Sequence, residues 1–221
     1  MADKVDFYQV YYEDWQRDHL FMWAKPYFNA SLTPFFENHI IADVVSASTA
    51  DKIAVCSWAL NKKMTFRIPP RRELSEDVLQ EDFDVMSFTK NSASHDMLGA
   101  LESWHPGAND ILQKICAKLG VGLQNPKFPI YQNAFCSRSE VYKRYVSEFL
   151  SPAMDLMATD SEIRSLCFQD SKYVRTTLNI PVDFNRIKRN LGFPWYPLHP
   201  FILERCFSIW IDDKDLKVVY L

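Results

Sequence analysis

Three side chains able to do acid–base or ion-pair chemistry, His199, Glu204 and Arg205, fall inside the segment 192–210, which reads GFPWYPLHPFILERCFSIW. Its first nine residues hold one glycine and three prolines, which deny them regular structure. A helix is expected from Pro200, since a proline in the first turn gives up an N–H that would have no helical partner there. Phe201, Ile202, Leu203, Phe207, Ile209 and Trp210 give that helix an apolar surface broad enough to be largely buried. Glu204 and Arg205 then sit within apolar surroundings, where charges are costly unless they are paired or useful. Two readings stay open: a core ion pair that ties down the preceding loop, or a site.

Composition sets the frame that positions this segment. At 221 residues, with 48% hydrophobic and 14% aromatic content, the chain suits one α/β domain with a real core. A net charge of −3 gives no bias toward nucleic acid or a membrane surface, and no nucleic-acid partner is expected. Five glycines are too few for a Gly-rich phosphate loop. Cys56, Cys116, Cys136, Cys167 and Cys206 are scattered, odd in number and without a Cys-x-x-Cys pair. Neither a zinc site nor a disulfide framework is indicated, and a reducing, cytoplasmic compartment is expected. The first ten residues lack the apolar run of a signal peptide, and no run approaches membrane-spanning length.

Along the chain, β-branched and aromatic content predicts strands over 4–12, 51–58, 64–68, 83–88, 130–138 and 216–221. Apolar spacing predicts helices over 34–45, 94–104, 109–119 and 141–157, with shorter helical stretches at 19–24, 74–79 and 162–168. Pro26 is expected to end the 19–24 segment and to lead into a turn, and Gly120 to cap 109–119. Between 158 and 189 the pattern weakens. Strands alternating with helices argue for a layered α/β domain on a mixed sheet.

Three blocks carry a family resemblance. The first is 29–63: an Asn-containing turn, a Leu-Thr helix at 32–45, then Ala50-Asp51-Lys52-Ile53-Ala54-Val55-Cys56-Ser57-Trp58. The second is Ile130-Tyr131-Gln132-Asn133-Ala134-Phe135, followed by Ser139-Glu140-Val141-Tyr142 and the long helix. The third is Gly192-Phe193 with 201–210, which includes Glu204-Arg205 and an apolar run ending in Trp210. Together these resemble a glycosyltransferase-like family of bacterial capsular-polysaccharide gene clusters, with relatives among glycan-making enzymes of large viruses. The chain departs from the family where its strand usually ends in His-Tyr-Arg-Arg. Here it reads Cys56-Ser57-Trp58-Ala59, with Lys62 and Lys63 beyond.

The resemblance implies a single GT-A-like domain over 1–221, an α/β/α arrangement on a central mixed sheet. Its nucleotide-binding half would be about 1–90 and its acceptor half about 91–221. A nucleotide-sugar would bind at the carboxyl ends of the parallel strands, the usual ligand position of open α/β sheets. The reaction would carry the sugar to a hydroxyl of a glycan or lipid-linked acceptor. Glu204 is then the first choice as base, with His199 and Arg205 beside it. Tyr8, Gln9 and Tyr11 end the first strand where such enzymes stack or hydrogen-bond the base, and alternation allows only one of the two tyrosines to stack. Ser57 and Trp58 stand where a metal motif normally sits. Lys63, with Lys62, Arg67, Arg71 and Arg72, could serve the phosphates without metal. Asn133 and Gln132 could hold sugar hydroxyls, or cap a loop.

Members of the fold commonly hold Mn²⁺ or Mg²⁺ on an Asp-x-Asp motif. The triplet available is Asp82-Phe83-Asp84, which lies at the right end of its strand if that strand runs antiparallel, and is otherwise a solvated strand entry. His95 and His105 read as structural histidines. The alternative function is a non-catalytic module that binds a carbohydrate or a protein on a degenerate glycosyltransferase fold.

Overall fold

The computed structural model describes residues 2–12, 14–29, 37–61, 73–89, 96–173 and 184–221. Among them, β1 (Val5–Tyr11), β2 (Lys25–Phe28), β3 (Lys52–Ser57), β4 (Val85–Ser87), β5 (Phe135–Arg138) and β6 (Val218–Tyr220) form one sheet, in the order β2-β1-β3-β5-β4-β6. β1 pairs in parallel with β2 and β3, and β4 with β6, while β5 runs antiparallel to both β3 and β4. The fold is therefore α/β on a mixed sheet, with one reversed strand inside it. The carboxyl ends of the parallel strands and the start of β5 share one edge.

Strand alternation sorts the core into two clusters. One face carries Val10, Ile53, Val55, Val85 and Phe135, against apolar side chains of α1 (Glu37–Ala47) and of the later helices. The other carries Phe7, Ala54, Cys56, Met86 and Cys136, covered by Phe21, Trp23, Phe83, Phe88, Leu221 and Leu79 of α2 (Glu76–Leu79). Ser75 caps α2 by accepting from the Val78 N–H at 3.4 Å. The helical layer continues with α3 (Met97–Trp104), capped by Asp96, and α4 (Ala108–Lys118), after which Gly120 takes φ 69°.

β5 runs straight into α5 (Ser139–Tyr145), and the long helix is not regular. A π-helical turn (Val146–Leu150) separates α5 from α6 (Ser151–Thr159). Pro152 explains the break: it has no N–H to offer and its ring crowds the carbonyl four residues back. α7 (Ser161–Cys167), α8 (Phe184–Leu191) and α9 (His199–Ile211) complete the helices described.

β2 corrects the expectation of a turn after Pro26. A proline is tolerated there because β2 is an edge strand, where one missing N–H need not break a ladder. The segment 19–24 is not a helix either; a 3₁₀ stretch covers Asp14–His19 instead. The strand expected over 64–68 lies outside the described residues.

Candidate active site at the carboxyl edge of the sheet

α9 and the loop before β5 build the site. Pro200 stands in the first turn of α9, as its missing N–H allows. The irregular stretch before it is stitched to the chain after α7. The Leu198 N–H donates to the Cys167 carbonyl at 2.8 Å, the Ser171 N–H to Tyr196 at 3.0 Å, and Trp195 Nε1 to Phe168 at 3.0 Å. The loop at 124–131 lies along α9: Asp212 accepts from Gln124 Nε2 (2.8 Å) and the Lys127 N–H (2.5 Å), and Ser208 Oγ accepts from the Ile130 N–H (2.8 Å). A tight turn then brings the chain into β5. Gln132 and Asn133 take φ of 61° and 49°, and the Ala134 N–H reaches the Tyr131 carbonyl at 3.1 Å. Tyr131 is thus held between the sheet edge and α9.

Arg205 and Glu204 meet there. Arg205 Nη1 donates to Glu204 Oε1, and the guanidinium lies over the Tyr131 ring at 5.2 Å. The Arg205 side chain is 4% exposed and that of Glu204 18%. Among the described residues the Arg205 Nε–H and the Tyr220 hydroxyl are buried without a hydrogen-bond partner. Burial pushes the Tyr131 phenol up to about 12, and Arg205, Glu204 and Asp96 are close enough to act on it. Burial also raises Tyr220, which feels Tyr131. Both phenols are neutral donors at pH 7.

His105, read from sequence as structural, belongs to this cluster. Its ring stacks on Phe201 at 3.8 Å, and Nδ1 meets the Ser171 carbonyl at 2.9 Å. A carbonyl only accepts, so Nδ1 carries the proton and Nε2 is the basic nitrogen of the neutral ring. Burial lowers the His105 pKa, against the Ser171 bond; Arg205 lowers it further and Glu204 raises it.

His199 stands elsewhere. It is buried edge-on to Phe168 at 4.8 Å, and burial holds its pKa at about 4. Five residues along a helix turn it about 140° away from Glu204. It is a core residue at the helix start, neutral at pH 7.

The other expected positions divide in the same way. Tyr11, Ser57, Trp58 and Asn133 do stand at the carboxyl edge. Tyr11 packs on Phe28 at 5.3 Å, and Trp58 meets Trp15 edge-on at 5.0 Å with His19 at 6.0 Å. Asn133 Nδ2 donates to Asn38 Oδ1 at 3.4 Å, so its amide braces the β5 turn against α1. Gln9 is fully buried and staples the sheet: Nε2 donates to the Ser57 carbonyl at 3.3 Å, and Oε1 accepts from the Phe21 N–H at 2.8 Å. The Tyr8 hydroxyl turns back toward Asp6 at 3.4 Å, in a group with Lys25 and Ser48, away from the strand end. Lys63 and its basic neighbours lie outside the described residues, as does His95.

Asp82 and Asp84 are a correction. β4 runs parallel in sense to β1, so they precede it at the end opposite the carboxyl edge. Their four carboxylate oxygens are already taken. Asp82 bonds Arg138 Nη2 (3.0 Å) and Lys217 Nζ (2.8 Å), and Asp84 bonds Arg138 Nε (3.0 Å) and the Lys217 N–H (2.8 Å). Lys217 holds the Asp82 carboxyl below its ordinary range. A carboxylate pair neutralised by cations, on the far side of the sheet, does not fit a metal that would meet a donor diphosphate. Among the described residues no group of three metal-ligating side chains forms.

No protein-family model, no curated protein and no solved structure matches this chain. The cluster is left to speak through its chemistry. A part-exposed carboxylate, a buried guanidinium, a neutral imidazole and two neutral phenols can together accept and donate to hydroxyl groups and remove a proton from one. No described helix is long and apolar enough to cross a membrane.

Proposed function

We propose that the protein is a glycosyltransferase that moves a sugar from a nucleoside-diphosphate donor to a hydroxyl of a glycan or lipid-linked acceptor. Glu204 carries the assignment: it is a part-exposed carboxylate on α9, paired with a buried Arg205 beside the loop that enters β5 at the carboxyl edge. The mixed sheet with β5 reversed between β3 and β4 agrees with the fold that the sequence resemblance implies. Glu204 takes the acceptor proton as the new C–O bond forms and the bond to the diphosphate breaks. On sequence grounds Lys63 and its neighbours meet the leaving phosphates. The five cysteines, all buried free thiols, support a cytoplasmic site of action.

Two observations favour the second reading, a non-catalytic module that binds a carbohydrate or a protein. Glu204 is already bonded to Arg205, and the acidic pair before β4 is spent on ion pairs. Thermal unfolding with UDP, GDP, CDP and dTDP separates the two. A ligand present at 100 times its Kd stabilises the native state by about 2.7 kcal/mol. A raised midpoint with one nucleotide supports the transferase; no shift with any of the four supports the binding module.

A further inference from the structure

We infer that a recess between β1 and α2 binds a small alkylammonium ion. The site is additional to the transferase reading and does not rest on it. The recess encloses about 180 Å³, with Val5 and Phe7 of β1 on one wall, Glu76 and Leu79 of α2 on another, and Trp23 at the side. Phe7 and Leu79 belong to one core cluster of the sheet and Leu203 and Phe207 of α9 to the other, so the recess lies on the face away from Glu204. Its end is fixed by Gln80, whose Oε1 accepts from the Asp3 N–H at 2.8 Å and whose Nε2 donates to the Asp3 carbonyl at 3.1 Å.

The charges around the recess do not balance. The Asp3 carboxylate is answered by Lys52 at 3.0 Å, and Lys52 spends its other donors on the Leu79 and Glu81 carbonyls. Glu76 stands exposed at the rim and has no ion-pair partner among the described residues. One unanswered negative charge is thus left beside the rings of Trp23 and Phe7, which stack at 4.5 Å. That combination suits one ligand chemistry. Aromatic faces attract cations, tryptophan most strongly. Val5, Phe7 and Leu79 give alkyl groups an apolar floor, and a cavity of this order holds a guest the size of benzene. A neutral apolar guest would strip water from two carboxylates and return nothing, and an anion would be repelled by both.

The test is a proton–nitrogen NMR titration of the full chain with tetramethylammonium chloride and n-butylammonium chloride. Sodium chloride, sodium butyrate and the neutral 3,3-dimethylbutan-1-ol serve as comparisons. The reporter is the Trp23 indole N–H, assigned by its disappearance in Trp23→Phe. A saturable shift of that signal with at least one ammonium ion is expected, and none with the three comparisons. Affinity should fall about tenfold in Glu76→Gln and about fivefold in Trp23→Leu, read from other shifted amides of the recess. Asp77→Asn, an exposed carboxylate next in sequence that does not line the recess, should leave it unchanged. Should Trp23→Leu fail to fold, Glu76→Gln, a change at the surface, still decides. Equal affinity in Glu76→Gln and wild type, an equal response to sodium chloride, butyrate or the alcohol, or no saturable shift at Trp23 overturns the inference.

Discussion

Arg205 donates from Nη1 to the Oε1 of Glu204, the residue directly before it on α9. Consecutive helical residues do not normally face one another, so the long arginine side chain must fold back to make this bond. Tyr131 lies under the guanidinium and completes its surroundings. Removing one partner is expected to cost more than weakening the pair. Arg205→Met strands a carboxylate that is only 18% exposed, and urea unfolding should lose about 3 kcal/mol, the lower end for a broken buried pair. Glu204→Gln keeps an acceptor oxygen and should lose about 1 kcal/mol. Equal losses would mean that the pair is not the stabilising unit.

His199 sets a pH dependence. Burial holds its folded pKa at about 4, below the ordinary 6.5. The unfolded chain takes up a proton as pH falls through about 6.5, and the folded chain only near 4. Its contribution is therefore complete above about pH 6.5 and is lost as pH drops toward 4. The gap corresponds to about 3 kcal/mol. His105, also lowered by burial, acts in the same direction. Urea unfolding at pH 7 and pH 4.5 should show the loss, and His199→Gln should flatten it. An unchanged slope in the variant would place the titration elsewhere.

Asp82 and Asp84 should matter to the fold and not to the chemistry. Asp84→Ala removes a bond to Arg138 and one to the Lys217 backbone, at a cost of about 1 kcal/mol. Asp82→Asn and Asp84→Asn should leave nucleotide-sugar turnover, and its response to Mn²⁺, as in wild type. Loss of Mn²⁺ response in either variant would return them to the site.

Lys52 is a buried cation that the fold satisfies completely. Its ammonium donates to the Leu79 carbonyl at 3.0 Å and the Glu81 carbonyl at 2.8 Å, pairs with Asp3 at 3.0 Å, and lies over Phe83 at 4.3 Å. Lys52→Met keeps the stem and leaves both carbonyls unanswered. Chemical denaturation should then show a loss of about 2 kcal/mol.

The strands Val5–Tyr11 and Lys52–Ser57 and the helices Ala108–Lys118 and His199–Ile211 were legible because local pattern and tertiary context agree there. β2 was not, because Pro26 reads as a breaker until the strand is known to be an edge. The π-helical turn was not, because the pattern around Pro152 remains helical. Of the cluster, Glu204 and Arg205 stood out as charges in an apolar run. His105 and Tyr131 gave no such signal, since long-range packing alone brings them to α9. The same limit hid the orientation of β4: direction within a sheet is set by its partners, and Asp82-Phe83-Asp84 reads identically either way.

The most direct measurement is release of nucleoside diphosphate from UDP-, GDP-, CDP- and dTDP-sugars by wild type and by Glu204→Gln, with folding of the variant checked by its unfolding midpoint. A transferase with Glu204 as base should hydrolyse one donor slowly without acceptor. In folded Glu204→Gln that turnover should fall by about 10² to 10⁴, the usual contribution of a general base. No release from any donor, or equal release by the variant, would contradict the assignment and leave Glu204 as half of a core ion pair.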